Sequence, residues 1–319
     1  MKVSVLGCGR WGSFLAWYSA KLGYEVIIWG RENSDNLRNL AENRRNEYLA
    51  LPDSVSVESS LKRALSSDIL IIAIGAQGLR DLCRKLASHR IRNKTFILCM
   101  KGLEETTGKR LSQVFREEIS EPVDLAIWVG PGHVQEFIKG VPSCMVISSE
   151  RIEITKKIVD IFKSDLIRFY YSEDVIGNEI GAASKNVMGI AAGMLDGLGL
   201  SSLKGPLMAR GPREISRLVR AMGGSEITVY GLCHVGDYAA TLFSKYSRNR
   251  RFGEVFVNGK RFDKLAEGVS TAGALMILSK QYNVELPICE AVYNIIKNGQ
   301  DPQEALRELF LRPMKYEFY

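Results

Sequence analysis

Val3-Ser4-Val5-Leu6 runs directly into Gly7-Cys8-Gly9-Arg10-Trp11-Gly12 and then into Ser13-Phe14-Leu15-Ala16. A β-branched run, three glycines at G-x-G-x-x-G spacing and a helical pattern, in that order, predict a strand, a tight turn and a helix. Each glycine has its own reason. Gly7 permits the turn, Gly9 lets a pyrophosphate reach the backbone, and Gly12 lets helix and strand pack closely. The helix start then offers unpaired N–H groups and the positive end of its dipole to an anion. Few folds other than a nucleotide-binding α/β sheet accommodate such an opening.

The alternation continues to about Tyr171. The runs are Val3–Leu6, Glu25–Trp29, Ile69–Ile74, Thr95–Met100, Leu125–Val129, Cys144–Ser148 and Ile167–Tyr171. Nearly all their residues are apolar, as expected of strands covered on both faces, so they predict a doubly wound, mostly parallel sheet. Beyond Glu173 the apolar residues recur at three- and four-residue spacing, as in Ile176, Ile180, Ala183, Val187 and Ile190, which predicts helices. Asp301-Pro302-Gln303-Glu304 reads as an N-cap, a proline at the first helical position and a capping-box glutamate. Two domains are expected, 1–172 and 173–319, in keeping with a chain of 319 residues.

Composition narrows the function. Forty-three Lys and Arg against 36 Asp and Glu leave a net charge of +7. That excess is too small to point to nucleic acid but suits an anionic small molecule. The longest apolar run, Ile69–Ile74, falls far short of the ~20 residues that a bilayer crossing needs. The opening Met1-Lys2-Val3-Ser4-Val5-Leu6-Gly7 has too few apolar residues for a secretory signal, so a cytoplasmic location is expected. Cys8, Cys83, Cys99, Cys144, Cys233 and Cys289 are scattered and read as buried reduced thiols. His89, His133 and His234 do not pair at ligand spacing, and no metal site is expected.

Further segments combine charge with glycine. Trp29-Gly30-Arg31-Glu32 ends the second strand, where an acidic residue usually meets the ribose 2′-hydroxyl. Arg31 suits a 2′-phosphate and Glu32 a free hydroxyl, so both NADP and NAD stay open. Met100-Lys101-Gly102 and Gly130-Pro131-Gly132 follow strands and belong at the crevice beyond the strand ends. Lys185 sits in an apolar, glycine- and alanine-rich helix, on one face with Asn178 and Ala182. A desolvated lysine there has a lowered pKa and suits proton transfer near neutral pH; a lysine snorkelling at a domain edge is the other reading.

The chain resembles the NAD(P)-dependent glycerol-3-phosphate dehydrogenases of the bacterial type almost end to end. The resemblance is carried by Gly7-x-Gly9-x-Trp11-Gly12, Trp29-x-Arg31, Lys101-Gly102, Gly130-Pro131, Gly181-Ala182-x-x-Lys185-Asn186-Val187 and Ala191-Ala192-Gly193. It extends through Arg210-Gly211-x-x-Glu214, Gly231-Leu232, Gly236-Asp237, Ser247-Arg248-Asn249-Arg250, Glu267-Gly268 and Leu286-Pro287-Ile288. It implies a Rossmann-type domain followed by an all-α domain of the 6-phosphogluconate dehydrogenase-like kind. The implied activity interconverts sn-glycerol 3-phosphate and dihydroxyacetone phosphate, supplying glycerophospholipid synthesis in the cytoplasm, in a homodimer joined through the helical domains. Lys185 is then the proton donor or acceptor, with Lys101 and Asp237 beside it. Gly7, Gly9, Arg10, Trp11, Gly12, Arg31, Lys101, Val134, Arg248, Leu265 and Glu267 match cofactor contacts. Lys101, Gly130, Gly132, Lys185, Asp237, Ser247, Arg248 and Asn249 match substrate contacts.

The chain departs from the family pattern in places. Gly132 stands where the family usually has Ser or Asn, so any substrate contact there comes from backbone. The loops 46–52 and 200–204 look abbreviated, and Gly231-Leu232-Cys233-His234-Val235-Gly236 replaces a small-residue loop. Two other readings stay open: a reductase of another small oxo acid on the same scaffold, and a non-catalytic dinucleotide sensor. The Ser247–Asn249 cluster speaks against the first, since a carboxylate does not need it. Retention of both Lys101 and Lys185 speaks against the second.

Overall fold

A computed structural model describes residues 1–244, 246–314 and 316–317. Eight strands form one sheet: β1 (Lys2–Leu6), β2 (Glu25–Trp29), β3 (Val55–Glu58), β4 (Ile69–Ile72), β5 (Thr95–Leu98), β6 (Asp124–Val129), β7 (Ser143–Ser148) and β8 (Ile167–Ser172). Their order is β3-β2-β1-β4-β5-β6-β7-β8. The order reverses between β1 and β4, which opens a crevice beyond their carboxyl ends. Backbone bonds past the strand ends hold that crevice in shape, with Gly7 N donating to Trp29 O (2.8 Å) and Ala73 N to Leu6 O (2.8 Å).

Two features differ from the sequence reading. β3, Val55-Ser56-Val57-Glu58, has only two apolar residues and lies at the sheet edge beside β2, so it shows no apolar run. The β6–β7 pair is antiparallel, while every other pair is parallel. The segment 130–142 between β6 and β7 holds a four-residue helix, Val134–Phe137, and no longer crossover helix to carry the chain back to the starting end of the sheet, so the chain turns straight back.

The two faces of the sheet bury separate apolar cores, one around Phe14, Tyr18, Trp128 and Phe162, the other around Leu70, Leu82, Phe96 and Phe115. Past Ser172 the elements are helical. The 23-residue helix Val175–Gly197 is buried along nearly its whole length and forms the axis of a third core. The helix Arg248–Val257 crosses it at backbone distance. A Cβ on Gly193 would sit 1.8 Å from Arg250 O, and one on Gly253 would sit 2.1 Å from Ile190 O. Only glycines at the crossing let the Ser247–Arg250 turn approach the helix that carries Lys185. The helix Pro302–Phe310 has the expected N-cap and first-position proline, with Asp301 accepting from Gln303 N and Glu304 N, but the Glu304 side chain does not close a capping box onto Asp301 N. Among the described residues no helix is long and apolar enough to cross a membrane.

Candidate active site

The crevice widens into a cavity of about 770 Å³ between the sheet and the helices. Its floor is the first βα turn. Gly7 has φ +126°, a conformation that side chains disfavour, and a Cβ there would lie 2.3 Å from Ala73 O. A Cβ on Gly12 would lie 1.9 Å from Gly7 O. Around Gly9, by contrast, no atom beyond its chain neighbours lies within 4 Å of where a Cβ would stand. The protein's own packing therefore requires glycine at 7 and 12, whereas at 9 the space stays open toward the cavity. Gly9 is the N-cap of the helix Arg10–Lys21 and supplies no side-chain cap to it. Trp11 Nε1 is buried without a hydrogen-bond partner. A bare helix N-terminus, an open glycine and an orphaned indole N–H fit a dinucleotide pyrophosphate. Beyond the turn, Arg31, Ser34 and Asn36 line the same cavity at the end of β2.

The opposite wall carries charge. Lys185 is 8% exposed and Asp237 is 4% exposed. Lys185 Nζ lies 3.1 Å from Asp237 Oδ1 and donates to Thr241 Oγ1 at 3.0 Å, while Thr241 Oγ1 donates to Asp237 O at 2.8 Å. Lys101 Nζ donates to the other oxygen of Asp237 and to Gly130 O at 2.7 Å. One carboxylate, at the start of the helix Asp237–Phe243, thus bridges two ammonium groups, one from the segment after β5 and one from the long helix. Burial drives the pKa of Lys185 down to about 8 against the opposing pull of Asp237, with Lys101 adding to the decrease. Burial works against ionisation of Asp237, but the two lysines outweigh it and hold that carboxyl below the usual carboxylate range. The desolvated lysine expected from its apolar helix is what the packing produces.

Asn186, next in the helix, donates to Lys101 O (2.8 Å) and accepts from Asn249 Nδ2 (2.9 Å); Asn249 Oδ1 accepts from Gly268 N (3.0 Å). Asn249 therefore ties three elements together around the lysines. Ser247 caps the helix Arg248–Val257, accepting from Arg250 N at 3.2 Å. Arg248, which lines the cavity, donates from Nη2 to Tyr48 Oη at 2.8 Å. Glu267 Oε1 accepts from Ala76 N (3.4 Å), and burial raises its pKa. Val134 and Leu265 line the cavity with them.

Of the cofactor and substrate contacts expected from the sequence, Gly12 and Gly130 do not line the cavity. Gly12 acts through packing, and Gly130 through the carbonyl that receives Lys101. At Gly132 a Cβ would stand 2.3 Å from the Phe137 ring, so Phe137 occupies the room a side chain would need. Thr241 and Tyr48 were missed. Thr241 follows Asp237 by one helical turn, a spacing that could have revealed it; Tyr48 carried no such signal. A second cavity, about 810 Å³ and mainly apolar, lies among the helices and contains none of these residues.

Comparison with known proteins agrees with this geometry. The family model described as NAD-dependent glycerol-3-phosphate dehydrogenase N-terminus matches residues 2–155, and its C-terminus counterpart matches 174–307. The glycerol-3-phosphate dehydrogenase [NAD(P)+] of Thermoanaerobacter sp. is 33% identical over 100% of this chain and 99% of its own length. The protein of the same name from Fusobacterium nucleatum is 37% identical over 99% and 98%. The crystal structure of glycerol-3-phosphate dehydrogenase from Coxiella burnetii superimposes with a TM-score of 0.90 at 28% identity, covering 98% of this chain and 99% of that one. With a glycine cradle and a paired-lysine wall facing one cavity, and relatives matched over their full length, this chain belongs to the NAD-dependent glycerol-3-phosphate dehydrogenase family.

Proposed function

We propose that the chain interconverts sn-glycerol 3-phosphate and dihydroxyacetone phosphate with NAD or NADP, residues 1–172 holding the dinucleotide and 173–319 the substrate. The observation that carries this reading is the Lys101–Asp237–Lys185 cluster, opposite the glycine cradle and beside Arg248 in one cavity. The bound nicotinamide supplies or takes up the hydride at C2.

During reduction the protonated Lys185 gives its proton to the C2 oxygen; during oxidation the neutral amine takes it from the C2 hydroxyl. A pKa of about 8 makes both forms accessible near neutral pH. Lys101 keeps a second positive charge beside the developing alkoxide, in a buried setting where that charge counts for more than in water. Asp237 aligns both ammonium groups and, with Thr241, fixes where Lys185 Nζ points. Arg248 stands at a helix N-terminus and has five N–H donors, of which the Tyr48 contact takes one; it receives the substrate phosphate in a two-bond fork. A carboxylate-bearing oxo acid places less charge there and is disfavoured.

In the cell the protein works in the cytoplasm as a homodimer joined through its helical part, and its product feeds glycerophospholipid synthesis. The decisive test follows NADH and NADPH oxidation with dihydroxyacetone phosphate, unphosphorylated dihydroxyacetone and small oxo acids. Dihydroxyacetone phosphate should be turned over far faster than the others, and Arg248→Ala should erase most of its advantage over dihydroxyacetone. Faster turnover of an oxo acid, or equal loss for both trioses, would overturn the substrate assignment.

A further inference from the structure

The turn that delivers Asp237 to the cavity has a histidine within it. His234 is completely buried (0% exposed) in the irregular π-helical turn Leu232–Gly236. Its Nδ1 lies 2.8 Å from Gly181 O and 3.3 Å from Ser184 Oγ, whose own proton goes to Ile180 O at 2.7 Å. A carbonyl oxygen only accepts, so the proton sits on Nδ1 and both contacts receive it. Nε2 is buried with no hydrogen-bond partner. The ring stacks on Tyr238, with centroids 5.5 Å apart and planes 21° from parallel, and Tyr238 Oη donates to Leu207 O at 2.8 Å.

These contacts are placed where they matter for the site. Gly181 lies one helical turn before Lys185, and His234 lies just before Asp237. A Cβ on Gly181 would stand 2.8 Å from Cys233 Sγ and 3.2 Å from His234 Cβ, so the side chains of the turn pack directly on the helix backbone. A ring whose only role was to fill space would not require an orphaned nitrogen, which costs about 1–3 kcal/mol to bury.

We infer that His234 is a positioning residue for the Lys185–Asp237 pair: its Nδ1–H···O=C bond to Gly181 sets the register between the helix bearing the lysine and the turn bearing the aspartate. A slip at that bond changes the 3.1 Å separation of Lys185 Nζ and Asp237 Oδ1. The inference rests on the proposed roles of that pair in the reaction.

The test compares His234→Ala, His234→Asn and His234→Gln in the full-length enzyme, with kcat normalised to the concentration of dinucleotide-binding sites so that misfolded protein does not count. Asn keeps an amide N–H near the Nδ1 position, whereas Gln places one near Nε2. In Ala and Gln, kcat for dihydroxyacetone phosphate should fall roughly ten- to a hundredfold, the scale of a misplacement of about 1 Å. Asn should recover most of the loss, and KM and dinucleotide affinity should barely move. Unchanged kcat in all three variants, or an equal loss in Asn and Gln, overturns the inference. If the parent instead turns over a different carbonyl substrate, the substrate assignment fails, and the same three-way comparison on that substrate still decides the role of His234.

Discussion

The glycine cradle and the lysine–aspartate cluster face one another across a single cavity, yet they are built by opposite means. The cradle is local and made of backbone: three glycines within six residues, two of them required because a Cβ would strike Ala73 O or Gly7 O. The cluster is distant and made of side chains: Lys101, Lys185 and Asp237 come from separate segments and acquire their chemistry only from each other and from burial. On the proposed roles, recognition is written into a short peptide, whereas reactivity is a product of assembly. Damage to one should leave the other largely intact.

The largest expected effect lies on the cluster. Lys185→Met should lower turnover by roughly a hundredfold or more, the scale of a lost general acid, while dinucleotide affinity measured by titration stays close to that of the parent. A parallel loss of dinucleotide binding would break the division of labour. The parent should also show the sign of the lysine's ionisation. Reduction needs the protonated amine, so its kcat/KM should decline as pH rises through about 8; oxidation needs the free amine, and its kcat/KM should climb through the same window. Both inflections should vanish in Lys185→Met, and a profile unchanged by the substitution would assign the proton to another group.

The mirror-image experiment is Gly12→Ala. Forcing a methyl to within 1.9 Å of Gly7 O must displace the turn, and overpacking of this kind costs roughly 1–3 kcal/mol. Dinucleotide Kd should rise about tenfold or more while the pH inflection of the remaining turnover stays near its parental position. A shifted inflection would show that cradle and cluster are mechanically coupled. The smallest effect is expected from Arg31→Ala, at the exposed rim. It should weaken NADPH relative to NADH by several-fold, within the range of one charge-assisted hydrogen bond at a solvated site. An unchanged ratio measured by competitive binding would show that Arg31 does not meet the 2′-phosphate.

The same contrast explains what could be read in advance. Strands that cross the middle of the sheet, such as β4 with Ile69, Leu70, Ile71 and Ile72 all buried, announce themselves as apolar runs because helices cover both faces. β3 lies at an edge, alternates toward solvent and so escaped notice. The antiparallel β6–β7 pair depends on how the connection 130–142 turns, which an apolar pattern does not record. Lys185 stood out as a charge in an apolar helix. Tyr48 did not, since a tyrosine across a cleft has no pattern until the fold juxtaposes it with Arg248; Thr241 offered only its one-turn spacing from Asp237, and His234 only its place in a loop that departs from the family pattern, its bond to Gly181 being made by the fold.

The linear chain by itself determined the apolar central strands of the sheet, the switch to helices after Ser172, the glycine turn after β1 and the residue types available for chemistry. These follow from spacing and glycine sterics, which act over a few residues. Tertiary structure alone decided that Lys185 is desolvated to a pKa of about 8, that one aspartate serves two lysines, and that Arg248 reaches the same cavity as Gly9. Electrostatics and burial depend on distance in space rather than along the chain, and helices crossing through Gly193 and Gly253 set those distances.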